Sequence, residues 1–496
     1  MAFLLQAVGH GEMAALADVT RLFFGQLQET GKASFAAPYP HPLHVVSRAD
    51  PPVEPAEARA ASRSGSSDRS VTVTTGEEGE GSGSVAETIP LHEIRRVLKR
   101  QLYIILSRAT GMTFPWGSLT GVRPTQVALD LVRRSGAAKA RRDLIDYWQL
   151  TESKAGLAVE TAIAEERQLG SLGANEAILY VGLPFCPGRC HYCSFITRDA
   201  HKQQASLGRY VDAVVREAEG VFDHDFPFKI AAVYYGGGTP TSLPLSLFRP
   251  YLEDVLATAP LKENAELTME AGRPDTIDRD KLELIRSSGF HKLCINPQTM
   301  REETLRSIGR HHTVGDTVAA FRLARSMGFA DINMDLIAGL PGEDADDLLD
   351  SLCQVMGLEP ESITLHTLAV KRGSYLDRLF ADRQALLPDP ALMEAVERAH
   401  DLLGRNGYRP YYLYKQKNCR SGLENTGFTR AEGSLYNVAM MSDQVPVVGL
   451  GSGSTSKVIL ERTAKRVHNP KDLLVYMDRV QEQIGKKRAL FLSEPQ

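Results

Sequence analysis

From about Ala177 onward, short β-rich runs alternate with helical stretches. ILYVGL, AAVYY, AELTMEA, KLCIN, INMDLI and SITLHTL are separated by segments with apolar residues at helical spacing. Strands joined through helices do not pair as hairpins; they build a parallel sheet with helices outside, closed or partly closed into a barrel. The fold class is therefore α/β, with six βα-type units in succession. Functional groups are expected at the C-terminal ends of such strands. The Cys-, Gly- and charge-bearing motifs of this chain each fall directly after, or late in, one of those runs.

The flanks read differently. Residues 1–170 predict a small α+β domain, opened by MAFLLQAVGHGEMAALADVTRLFFG as a strand and a helix. His10, Glu12 and Asp18 interrupt its apolar run and no basic stretch precedes it, so it fits neither a signal peptide nor a spanning helix. Positions from about 58 to 83 are rich in Ser, Gly and Glu and poor in large apolar residues, which predicts a disordered insertion. IPLHEIRRVLKRQLYIILSRATG, TQVALDLVRRSG and AGLAVETAIAEERQLG carry helical periodicity. PWGSLTGVRP, with Trp116, reads as a helix-breaking turn. The barrel is assigned to 171–385, and 386–496 to a third region of mixed structure. Within that region GLGSGSTSK lacks Walker spacing and reads as a structural or substrate-facing loop.

Composition excludes some partners. Lys plus Arg is 57 and Asp plus Glu is 61, for a formal charge of −4, so there is no field to hold a polyphosphate and nucleic acid is not expected. No membrane partner is expected either. Six cysteines in 496 residues are too few for a disulfide framework, and three crowd into eight positions, which points to a reducing, cytoplasmic setting and a metal site.

Cys186, Cys190 and Cys193 form C-x3-C-x2-C directly after ILYVGLPF, in a loop whose Pro184, Pro187 and Gly188 let the backbone wrap a compact object. Three thiolates on a four-iron cubane leave one iron without a protein donor. Two alternatives stand beside the cubane: a zinc site completed elsewhere, with His191 as candidate, or three unrelated buried thiols.

YVGLPFCPGRCHYCSF resembles the signature of radical S-adenosylmethionine (SAM) enzymes and, within them, the coproporphyrinogen-oxidase-like group. The resemblance covers about Ala177 to Leu376. It implies a partial (β/α)6 radical SAM barrel with a [4Fe-4S] cluster on Cys186, Cys190 and Cys193, its open iron chelated by the amino and carboxylate groups of SAM. By the same resemblance Tyr192 packs on the adenine and Tyr180 contacts SAM beside the cluster. Gly237, Gly238 and Thr239 of YYGGGTPT form the cradle for the methionine amino and carboxylate groups, their amides serving as donors. Glu270 ends the strand ELTME and suits a polar ligand, with an ion pair to Arg273 as the alternative. Gln298, Arg310 and Asp335 match residues that bind the SAM carboxylate, ribose or a second SAM.

YYLYKQKNCRSGLENTGF, SLYNVAMMSDQVPVVGLGSGSTSK and PWGSLTGVRPT resemble the HemZ branch of this group. That implies an oxidoreductase, a coproporphyrinogen dehydrogenase acting in haem and porphyrin biosynthesis without oxygen, with a tetrapyrrole substrate and a low-potential electron donor such as flavodoxin or ferredoxin. Arg273, Lys371, Arg372, Lys415 and Lys417 are candidate cations for the substrate's carboxylates; solvated surface charge is the alternative for each. Coproporphyrinogen oxidases of the group carry a further cysteine two positions beyond the third ligand, where this chain has Phe195. The haem-chaperone branch has an aromatic there too. A haem-binding protein and a radical SAM enzyme with another substrate are the competing expectations. Cys294 reads as a core residue; Cys353 and Cys419 are scattered.

Overall fold

The protein is described by a computed structural model over residues 3–24, 27–31, 34–37, 43–64, 69–77, 84–121, 123–193, 195, 197–370, 375–376, 388–416, 419–460 and 463–492. The chain divides into two compact units: Met1–Val159 with Asp377–Met393 and Lys415–Glu424, and Glu160–Leu376 with Glu394–Tyr414 and Asn425–Gln496.

In the first unit, Phe3–His10 and Met13–Phe24 are the strand and helix expected of the opening residues. The strand lies in a six-stranded sheet whose buried face shares one core with the helix Ile94–Thr110. The expectation of a disordered insertion over 58–83 does not hold for its described part. Pro55–Ser64 is a helix, and Ser70–Glu77 is a strand paired antiparallel with both neighbours. Val71, Val73 and Thr75 alternate into the core, and three β-branched side chains at period two seat a strand that its Ser- and Gly-rich surroundings conceal. Residues 65–68 and 78–83 lie outside the described residues. PWGSLTGVRP makes a buried turn: Trp116 Nε1 donates to Glu424 Oε2 at 2.5 Å, and Lys154 Nζ reaches Glu424 Oε1 at 2.6 Å.

In the second unit, β1 (Glu176–Leu183), β2 (Lys229–Gly237), β3 (Leu261–Gly272), β4 (Lys292–Ile295), β5 (Asp331–Ala338) and β6 (Ser362–Thr367) pair in chain order, every pair parallel. Between them run α1 (Gln204–Val221), α2 (Leu245–Thr258), α3 (Arg279–Ser287), α4 (Glu302–Ser307), α5 (Val314–Ser326) and α6 (Ala345–Met356). Capping boxes at Thr313/Asp316 and Asp344/Asp347 start α5 and α6 by satisfying first-turn amides.

The residues from 386 onward do not form a separate third region. β7 (Arg409–Lys415) and β8 (Glu424–Thr429) continue the sheet beyond β6, while β9 (Val447–Leu450), β10 (Thr455–Leu460) and β11 (Thr463–His468) continue it beyond β1. A six-stranded parallel sheet has two edges of unpaired amides and carbonyls, and the C-terminal chain covers both. No helix among the described residues is long and apolar enough to cross a membrane.

Candidate functional site

The cysteine loop begins where β1 ends. Phe185–Cys186 pairs in parallel with Arg198–Asp199, and the Ala200 amide donates to the Cys186 carbonyl at 2.8 Å, so the loop is pinched shut at its base. The Cys193 amide turns back onto the Cys190 carbonyl at 3.1 Å. Cys190 is buried, Cys186 and Cys193 partly so. Burial pushes the Cys186 thiol up to about 11, against the Thr239 hydroxyl that donates to its Sγ at 3.5 Å; burial raises Cys193 as well. Such thiols become thiolates when a metal takes the proton's place. A single tetrahedral zinc, with bonds near 2.3 Å, would bring its sulfurs within about 3.8 Å of one another. Among the described residues, Asp223, His224 and Asp225 are the only three potential ligands within 4.8 Å of each other, on the surface. The cysteine sulfurs are spread more widely and suit a larger body. His191, the candidate fourth zinc ligand, holds the Ser307 carbonyl with Nδ1 at 2.7 Å.

The glycine run departs from expectation in one respect. The Gly237 amide donates to Glu270 Oε2 at 3.2 Å, the Gly238 amide to the Leu183 carbonyl at 2.6 Å, and the Thr239 amide to the Phe185 carbonyl at 2.7 Å. None of these three donors is left for a ligand. A Cβ on Gly238 would lie 2.3 Å from the Phe185 carbonyl oxygen, so glycine there permits the β2 end to pass beneath the cysteine loop. Gly237, at φ +101°, would place a Cβ 2.8 Å from the Tyr180 hydroxyl.

Gln298 follows the C-terminal end of β4, and Arg310 reaches back to that exit. Arg310 gives Nη1 to the Asn296 carbonyl at 2.5 Å and Nη2 to the Tyr192 hydroxyl at 3.1 Å, fixing both the β4 exit and the aromatic of the cysteine loop. Gln298 holds a left-handed φ of +71° while its amide bonds the Asp335 carbonyl and its carbonyl accepts the Ile337 amide, each at 2.9 Å. Its Oε1, the Asn296 Oδ1 and both ring nitrogens of His312 are buried without a protein partner. Unpaired buried polar atoms cost roughly 1–3 kcal/mol each, so these atoms are suited to a polar ligand or ordered water. Asn296 and His312 were not singled out by motif.

The strands also carry a polar row at period two along one face. Thr268 and Glu270, Lys292 and Cys294, Asp331, Asn333 and Asp335, and Ser362, Thr364 and His366 alternate with fully buried apolar neighbours. Register sets Tyr180 beside Tyr234, Tyr234 beside Thr268, Glu270 beside Cys294 and Asp335 beside Thr364. Tyr180, Tyr234 and Tyr436 stack, the last two with centroids 4.0 Å apart. Tyr180 thus lines this row as well as touching Gly237. Burial first, then Asp335, pushes Glu270 up to about 7.

A sequence profile of the Radical SAM superfamily matches residues 180–352. The oxygen-independent coproporphyrinogen-III oxidase-like protein HemZ of Bacillus subtilis (strain 168) is 35% identical over 421 residues, 82% of this chain and 83% of that protein. This chain belongs to the radical SAM superfamily, in its HemZ-like branch. As a radical SAM protein it uses a [4Fe-4S] cluster and SAM. The heme chaperone HemW of Escherichia coli (strain K12) is 31% identical over 234 residues, 47% of this chain and 60% of that protein. Among solved structures, the coproporphyrinogen III oxidase HemN of Escherichia coli, described as a radical SAM enzyme, superposes with a TM-score of 0.51 at 22% identity. It covers 66% of this chain and 73% of its own. That likeness shows the fold, a partial parallel barrel.

The candidate substrate cations of this HemZ-like chain fare unevenly. Arg273 pairs with Asp275, not Glu270, through Nε at 2.9 Å and Nη2 at 2.7 Å, and its Nη1 reaches the Gly188 carbonyl at 3.4 Å; it braces the cysteine loop. Lys415 is buried in the first unit, donating to the Leu119 carbonyl at 3.3 Å and lying 5.1 Å from the Trp116 ring centroid. Neither is a solvated cation waiting for a carboxylate. Lys371, Arg372 and Lys417 lie outside the described residues. Cys294 and Cys419 are buried, and Cys353 is exposed.

Proposed function

We propose that this protein is a radical SAM oxidoreductase that converts propionate side chains of coproporphyrinogen III to vinyl groups without oxygen, releasing carbon dioxide. One observation carries the reading: the three-cysteine loop is tied through Tyr192 and Arg310 to the exit of β4, where Asn296 and Gln298 present unpaired buried polar atoms. The 35% identity to an oxygen-independent coproporphyrinogen-III oxidase-like protein supports the choice of substrate.

In this reading Cys186, Cys190 and Cys193 would hold the cluster, and Tyr192, steadied by Arg310, would flank the adenine. Glu270 would accept a hydrogen bond from the SAM amino group, Arg310 would meet a carboxylate with its planar fork, and Gln298 and Asp335 would hold ribose or a second SAM. Bound there, the cluster and SAM would supply the one-electron chemistry that the side chain's C–H bond requires. The barrel wall would exclude water and orient the reacting C–H, and the loss of carbon dioxide would require an external one-electron acceptor. A flavodoxin- or ferredoxin-type protein in the cytoplasm would supply the reducing electron.

The test is anaerobic: reconstituted protein, reductant, SAM and coproporphyrinogen III, with products read by mass spectrometry. Monovinyl or divinyl product is expected. SAM cleavage without either product would overturn the reading. A second reading, haem binding, is favoured by Phe195, which is 61% exposed, and by the similarity to a heme chaperone. Stable haem uptake and transfer without turnover would establish that reading instead.

A further inference from the structure

β6 contributes a side chain that neither motif nor resemblance singles out. His366 Nε2 lies 3.5 Å from Asp335 Oδ2, and its Nδ1 lies 3.2 Å from Asn425 Oδ1. The same Oδ1 accepts the Thr367 backbone amide at 3.1 Å, which fixes the orientation of the Asn425 amide: the atom facing His366 is oxygen. Nδ1 must then carry a hydrogen. A bare Nε2 would aim its lone pair at a carboxylate, so the state that suits every neighbour has both nitrogens protonated. On its other side Asp335 accepts Asn333 Nδ2 at 2.7 Å, and Asn333 Oδ1 accepts the Thr364 hydroxyl at 3.1 Å.

Glu270 shares this space from β3. The titratable groups that face it are Asp335, His366, Cys294 and the tyrosines Tyr180, Tyr234 and Tyr436. Of these, His366 alone can become cationic, and it stands against two carboxylates.

We propose that His366 is a positioning residue: as an imidazolium clamped between Asn425 and Asp335, it favours the ionised form of Glu270, so that the chamber receives an amino group. The amino-group part rests on the reading of Glu270 given above. Electrostatics agree with the geometry, since Asp335 holds the His366 ring above its ordinary range and His366 draws Glu270 down against burial.

The probe is S-adenosylhomocysteine, which has the amino acid and nucleoside but no sulfonium to cleave. Its affinity for anaerobically reconstituted protein is measured by calorimetry from about pH 6 to about pH 9. For the native protein, affinity should fall as pH drops through about 7, where Glu270 takes up its proton. In His366→Gln the midpoint should rise by about one unit, with roughly fivefold weaker binding at neutral pH, and His366→Lys should restore it. An unchanged midpoint in His366→Gln overturns the proposal. Should that variant fail to fold, [15N]histidine spectra of native protein decide the clamp: at about pH 6.5 both His366 nitrogens should be protonated, and a neutral ring overturns it. The resonance is assigned through Asn425→Ala. Absence of binding by native protein at every pH would overturn the reading of Glu270 and the amino-group preference with it, while the ring spectrum still decides the clamp.

Discussion

Two buried polar sites in the second unit differ in how completely they are paired. Beneath the glycine-rich loop 449–454, the Glu217 carboxylate accepts four bonds: Lys487 Nζ at 2.5 Å and Asn469 Nδ2 at 2.8 Å on one oxygen, the Gly451 amide at 2.8 Å and the Tyr476 hydroxyl at 2.7 Å on the other. Beyond β4, Gln298, Asn296 and His312 leave four buried polar atoms unpaired. The Glu217 carboxylate is fully used in holding the C-terminal helix and loop to the sheet, while Asn469 Oδ1 beside it and Ser454 Oγ in the loop stay unpaired. At Glu217 the charge itself is saturated, whereas the amides and ring beyond β4 are not.

The contrast yields tests of decreasing size. Replacing Cys186, Cys190 and Cys193 by Ala should bring iron and sulfide to background after anaerobic reconstitution and abolish SAM cleavage; retained iron would break the assignment of the unsaturated end as the cofactor end. Glu217→Ala should cost about 3–5 kcal/mol in denaturant unfolding by stranding Lys487, with cluster content per folded molecule unchanged.

Glu270→Gln sharpens the comparison through pH. The folded protein raises Glu270 from its ordinary 4.5 to about 7, so the stability it contributes is present below pH 4.5 and is lost as pH rises through 7. The variant should be more stable than native protein by roughly 2–3 kcal/mol at mildly alkaline pH and equal to it in acid. Gln298→Ala should have the smallest effect on unfolding, within about 0.5 kcal/mol, because relief of the unpaired Oε1 offsets the lost packing of the buried stem. The same change should weaken S-adenosylhomocysteine binding about fivefold to tenfold, measured by calorimetry.

Much of the barrel was legible because its strands are locally marked. Runs such as IAAVYY are apolar on both faces, as parallel strands are, and Asp331, Asn333 and Asp335 alternate with Ile332, Met334 and Leu336 in a way that announces an inward polar row. That alternation, repeated in Ser362, Thr364 and His366, was the signal that would have found His366. The strand at Ser70–Glu77 was hidden because three small inward side chains weigh little against Ser, Gly and Glu in any composition window. The fate of the glycine amides was not legible, since it depends on which carbonyls the β1 end brings to them.

By itself the sequence determined the order of βα units, the cysteine loop at the first strand end and the residues at the later ones, because periodicity and spacing are local properties of the chain. Only the tertiary structure decided that the C-terminal residues close both edges of the sheet and that Arg273 and Lys415 are already engaged. It alone decided, too, that Asn425 reaches across 59 positions to place a hydrogen on Nδ1 of His366. Those outcomes turn on which distant backbone and side-chain groups become neighbours, and a hydrogen bond has no direction until both of its ends are in place.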